Sequence, residues 1–87
     1  MSRLGEIKFA VESELIRAMD AYPVFASAHE GYAVLLEEVD ELWDEVKVKQ
    51  NHPGRKGKMR AEAIQVAAMA IRFVYDCCAE EGEEGIP

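Results

Sequence analysis

Six carboxylates fall within the nine residues from Glu37 to Glu45, in the stretch LLEEVDELWDEV, and two more oxygen-bearing side chains, Glu62 and Gln65, follow further along. On a helical wheel with Leu35 as origin, the apolar residues of the stretch run from about 340° to about 100°. Asp40, Asp44 and Glu37 then lie near about 140°, 180° and 200°, pointing away from the core, and read as solvated. Glu38, Glu41 and Glu45 gather near about 300°, 240° and 280°, on one flank of the apolar stripe. Carboxylates stacked at i, i+3 and i+7 repel one another unless something positive sits among them. Glu38-x-x-Glu41 therefore reads as a pair of helix-borne ligands for a hard cation, against the plainer alternative of a solvated acidic face. Oxygen ligands from two helices suit Mg²⁺, which keeps several waters and commonly holds substrate phosphates.

A second segment supplies the counterpart. Between Lys58 and Glu80 the polar side chains Glu62, Gln65, Arg72 and Asp76 share an arc of about 80°, with Met69 among them. Buried charge without a partner is costly, so this arc needs something to face. If the two segments pack antiparallel, as a short connection favours, Glu62 and Gln65 meet the Glu38–Glu45 stripe. Arg72 and Asp76, spaced i, i+4, read first as an intrahelical salt bridge.

The residues Glu37-Glu38-Val-Asp-Glu41-Leu followed by Glu62-Ala-Ile-Gln65 resemble the E-E-x-x-E…E-x-x-D signature of MazG-like nucleotide pyrophosphohydrolases, all-α enzymes related to dimeric all-α dUTPases. The resemblance covers about half the chain, and LLEEVDELWDEVK with EAIQVAAMAIRF is similar to short, phage-type members. It implies Mg²⁺-dependent cleavage between the α- and β-phosphates of a nucleoside triphosphate, with Mn²⁺ as the alternative ion. By position it makes Glu38, Glu41 and Glu62 metal ligands. Gln65 stands where the family has Asp, offering a neutral oxygen, and Glu45 is placed to compensate for the missing charge. Glu41 is the candidate to accept the proton of the attacking water. Lys56, Lys58, Arg60 and Arg72 are the candidates to hold the phosphates. Family members often carry further phosphate-binding residues beyond the third helix. This sequence offers none there, so a neighbouring subunit is expected to contribute.

The elements that must position these groups are three helices, with no strand pattern anywhere. Leu4, Ile7, Val11, Leu15, Ala18 and Tyr22 form one apolar stripe from about Ser2 to Ala21, ended by Pro23. A second helix opens on Ser27-Ala-His-Glu30, a capping-box pattern, and stops near Asn51-His-Pro53-Gly54. Its stripe is Tyr32, Leu35, Leu36, Val39, Leu42, Trp43 and Val46. Residues 55–58 read as a basic loop or frayed turn ahead of a third helix, about Lys58 to Glu80. That helix is apolar around most of its circumference, which two amphipathic neighbours cannot cover. The expected architecture is an all-α, three-helix protomer, an N-terminal helix plus an antiparallel hairpin, in a homodimer or homotetramer with the third helix at the interface. Residues 1–80 form the one domain, and 81–87 an acidic, Gly-rich tail.

Bulk properties narrow the functional classes. The chain has 87 residues, 49% of them hydrophobic, and a net charge of −7, which argues against binding a nucleic acid polymer. No apolar run approaches the roughly 20 residues needed to span a bilayer, and no signal-like segment opens the chain, so a cytoplasmic protein is expected. Cys77 and Cys78 are adjacent and read as reduced thiols. Six of the ten Lys and Arg fall within residues 47–60, which contain no acid. That segment suits either a phosphate-bearing partner or cations at a helix end. Three functions remain open: a nucleotide pyrophosphohydrolase, a non-catalytic helical oligomer of the same fold that binds a nucleotide or protein, and a structural protein whose acidic stripe pairs with a neighbour's basic segment.

Overall fold

Local chemistry sets the helix ends. The computed structural model describes residues 2–79, in which α1 (Arg3–Ala21), α2 (Ala28–Val46) and α3 (Arg55–Cys77) are the helices and no strand occurs among the described residues. Ser2 caps α1, its hydroxyl accepting from the Gly5 N–H at 3.0 Å. The helix stops at Tyr22, which is extended, the conformation favoured immediately before a proline. Ser27 caps α2 by accepting from Glu30 N–H at 3.1 Å, and Glu30 reaches back to accept from Ala26 N–H at 2.8 Å. This is the expected capping box with its return bond displaced by one residue.

The third helix begins earlier than its sequence pattern suggests. Gly54 adopts φ 78°, a left-handed conformation that glycine tolerates best, and turns the chain directly into α3 at Arg55. The basic segment 55–58 is thus its first turn rather than a loop. Arg55 donates from Nη2 to Val46 O (2.7 Å) and from Nε to Val48 O (3.1 Å), placing a cation on carbonyls left over at the end of α2. Glu80, the expected last residue of the helix, and the 81–87 tail lie outside the described residues.

Helix α3 is central: it packs on both α1 and α2, and α1 and α2 do not pack on each other among the described residues. The helix α2 runs antiparallel to α3, with Gly31 against Phe73 at one end and Val46 against Arg55 at the other. A Cβ on Gly31 would sit 2.9 Å from Phe73 Cδ2 and 3.0 Å from Phe25 Cδ2, so only glycine lets the two rings approach the helix this closely. Among the described residues the buried apolar core is Ala18, Ala68 and Met69, with Val11, Leu15, Phe25, Val34 and Leu35 packed around it.

One charged residue completes that core. Arg72 is 3% exposed, and its guanidinium donates to Ala18 O (3.1 Å), Tyr22 O (2.9 Å), Pro23 O (2.7 Å) and Asp76 Oδ2 (3.0 Å). The Phe25 ring lies 5.1 Å from its centre, and Asp76 Oδ2 also accepts from Phe25 N–H at 3.2 Å. Arg72 therefore caps the C-terminal carbonyls of α1 and pins the 22–25 connection to α3. The i, i+4 salt bridge to Asp76 is present within this clamp.

Candidate metal centre

The antiparallel register brings Glu41 on α2 level with Glu62 on α3, and Glu38 follows one turn earlier on the same side of α2. One carboxylate oxygen from each of Glu38, Glu41 and Glu62 lies within 4.8 Å of the others. In an octahedral Mg²⁺ shell with bonds of about 2.1 Å, ligand oxygens stand about 3 Å apart when adjacent and about 4 Å apart when opposite. A spread of no more than 4.8 Å is on the scale of such a shell. Glu38 and Glu62 are half-buried between the helices, whereas Glu41 is exposed at the mouth.

The electrostatics of the cluster are unfavourable on its own terms. Burial, reinforced by the nearby Glu41 and Glu62 charges, pushes the Glu38 carboxyl up to about 7. Burial first, and Glu41 second, also raise Glu62, with Glu45 adding to the repulsion. Glu38 Oε2 and Glu62 Oε2 are buried and have no hydrogen-bond partner among the described residues. A buried acceptor left without a donor costs about 1–3 kcal/mol, more when charged. Three hard carboxylates, two of them with orphaned oxygens, make a donor set that fits a divalent cation such as Mg²⁺ or Mn²⁺.

The other predicted site residues divide. Glu45 is half-buried and close enough to act on Glu62. Gln65 points to the α1 side, where its amide donates to Glu14 and helps hold that carboxyl below its usual range, behind the larger effect of Arg17. Lys56 and Arg60 line a groove against Arg3, Glu6 and Ile7 of α1, and Lys58 is exposed. Arg72 is withdrawn from the phosphate-binding set, because its donors are committed to main-chain carbonyls and Asp76. The acids read as solvated behave so: Glu37, Asp40 and Asp44 are all exposed, and Asp44 pairs with Lys47 at 3.1 Å.

A cavity of about 370 Å³ adjoins the carboxylates, lined by Tyr22, Phe25, Val34, Glu38, Gln65 and Met69, with Arg17 also on its wall. Glu38 thus belongs to both the acidic cluster and an apolar recess of the size that small ligands occupy. Sequence reasoning missed Arg17, an exposed cation held by Glu14 through an i, i+3 salt bridge. That pair reads as ordinary helix-surface electrostatics. Only the packing of α1 on α3 carries it to the cavity.

No family model, no curated protein and no solved structure matches this chain.

Proposed function

We propose that the protein is a Mg²⁺-dependent nucleoside triphosphate pyrophosphohydrolase that converts a nucleoside triphosphate to the monophosphate and pyrophosphate in nucleotide-pool house-cleaning. The observation that carries the reading is the meeting of Glu38, Glu41 and Glu62 from two helices, with two buried oxygens that lack donors among the described residues. Glu38 and Glu62 would hold the ion from the half-buried side, and Glu41 from the solvent side. Mg²⁺ supplies charge neutralisation and orients the phosphates, which is most of what phosphoryl chemistry needs. A water oxygen attacks the α-phosphorus, the α–β anhydride bond breaks, and pyrophosphate leaves. Glu41, with solvent access and a second oxygen to spare, is placed to take the water's proton. The adjoining recess suits the apolar faces of a nucleoside, and Arg17 is the cation on its wall that can meet phosphate.

The runner-up is a non-catalytic helical homo-oligomer that binds a nucleotide or protein partner. Two observations favour it: Gln65 is neutral and adds no charge to the cluster, and Lys56 and Arg60 lie along a different groove. Pyrophosphate release from canonical and modified NTPs and dNTPs, with and without Mg²⁺, separates the readings. Mg²⁺-dependent release that disappears in Glu38→Gln is expected. If no substrate yields pyrophosphate at high protein concentration, the hydrolase reading is wrong, and nucleotide binding without turnover would establish the alternative. Recovery of turnover in Gln65→Asp, from an inactive parent, would locate the defect at that amide.

A further inference from the structure

Contacts within the fold account for only part of the basic segment 47–60. Lys47 pairs with Asp44, and Arg55 sits on the carbonyls at the end of α2. Lys56 and Arg60, one turn apart on α3, make no ion pair among the described residues. Both line a groove of about 520 Å³ between the first turns of α3 and the start of α1, and Arg3 lines it from the α1 side. Ile7, Ala63 and Ile64 supply its apolar surface, and Glu6 is the one acid among its described lining residues. Arg3 and Lys56 stand in the first turns of their helices, where positive charge works against the helix dipole. The first turn of α3 holds no acid to offset it. The groove is separate from the acidic cluster, because Lys56, Arg60 and Ala63 lie about 100–160° round α3 from Glu62.

We infer that this groove is a second binding site, for a small phosphate monoester that carries an apolar or aromatic group. Charge sets the headgroup. Three cations against Glu6 leave the lining with a balance of +2, in a chain whose net charge is −7. A phosphate monoester carries about −1.5 to −2 at pH 7 and matches that balance, whereas a single carboxylate meets only half of it. The guanidiniums of Arg3 and Arg60 suit phosphate oxygens, which they can contact in parallel pairs, and Lys56 adds a mobile point charge. Size and apolar surface set the rest of the ligand. The groove falls within the range of about 300–1,000 Å³ that small ligands occupy, and Ile7 and Ile64 offer a ring or short alkyl group a surface to cover. An inorganic anion would satisfy the cations and leave that surface in water. The inference stands whether or not the acidic cluster binds Mg²⁺, since the two places share no residue.

Amide NMR titration of the full chain without divalent cations tests this, since no metal can then draw phosphate to the acidic cluster. The probes are naphthyl phosphate, naphthol and inorganic phosphate. Saturable binding of naphthyl phosphate is expected, on the order of ten-fold tighter than either of the others. Its shift changes should centre on Ile7, Ala63 and Ile64, and not on Glu38 or Glu62. Lys56 and Arg60 are exposed, so the double variant Lys56→Gln/Arg60→Gln should keep the fold and weaken binding on the order of ten-fold. Lys58→Gln removes a cation of the same segment that does not line the groove, and should change affinity by less than about two-fold. No saturable binding to the wild type would overturn the inference, as would shift changes centred on the acidic cluster. Equal affinity for inorganic phosphate or naphthol would overturn it too. So would a loss in Lys58→Gln as large as in the double variant, or binding of a hexaglutamate peptide alone, the mark of a surface for acidic proteins.

Discussion

Helix α3 carries charge into the protein at two places, and the two are built in opposite ways. Near its C-terminal end Arg72 is surrounded by three carbonyls, a carboxylate and a phenyl ring, so a buried cation has a complete set of partners. Near its N-terminal end Glu62 meets two more carboxylates, and the set is left with two orphaned oxygens. Breaking a buried ion pair by removing one partner costs several kcal/mol. Retaining a like-charged trio works against folding until a cation joins it. The first arrangement is complete as structure, whereas the second is relieved by a proton, which the raised Glu38 pKa favours, or by an added cation.

The comparison can be broken at several points. The largest effect is expected at the satisfied end: Arg72→Met should cost about 3–5 kcal/mol, because it leaves Asp76 buried and the α1 carbonyls uncapped. Urea denaturation would read the loss, and a change below 1 kcal/mol would show that the clamp is dispensable. At the unsatisfied end the sign reverses. The folded-state pKa of Glu38 is raised, so stability from that group is complete below its unfolded value near 4.5 and is lost as pH rises through about 7. Glu38→Gln should therefore stabilise the metal-free protein by roughly 1–3 kcal/mol at pH 8 and change little near pH 4. Thermal melts across that range give the answer, and destabilisation at pH 8 would contradict the account. Addition of Mg²⁺ should raise the wild-type melting temperature more at pH 8 than at pH 6, since protons compete for the same oxygens.

Smaller effects sharpen the boundary. Gly31→Ala should cost about 1–3 kcal/mol by pushing Phe73 and Phe25 away, with no change in Mg²⁺ response. Glu37→Gln, on the solvated face of the same helix, should alter stability by no more than about 0.5 kcal/mol and leave the Mg²⁺ response intact. A Glu37 variant as consequential as the Glu38 variant would mean that the acidic stretch acts as one diffuse field.

What the sequence made legible was periodic. The wheel separated Glu37, Asp40 and Asp44 from Glu38, Glu41 and Glu45, and the two sets do differ in surroundings, although Glu41 is exposed. Caps at Ser2 and Ser27 follow from local hydrogen-bond chemistry and need no tertiary information. The limits came where partners are distant in sequence. Arg72 has a clear local partner in Asp76, yet its three carbonyl contacts are 49 to 54 residues away and leave no local trace. Arg17 and Glu14 look like a routine surface pair until the packing of α1 on α3 turns them toward Gln65. The apolar circumference of α3 predicts burial nearly all round. In the single chain Ile71, Val74 and Tyr75 remain about half exposed, because α1 and α2 flank α3 without covering its outer side.

The central claim is that Glu38, Glu41 and Glu62 form a cation site, and calorimetric titration of the metal-free protein with Mg²⁺ at pH 8 tests it most directly. The account predicts saturable binding by wild type and Glu37→Gln alike, abolished in Glu38→Gln and in Glu62→Gln. Absence of saturable binding by the wild type, or binding that persists unchanged in both cluster variants, would contradict it.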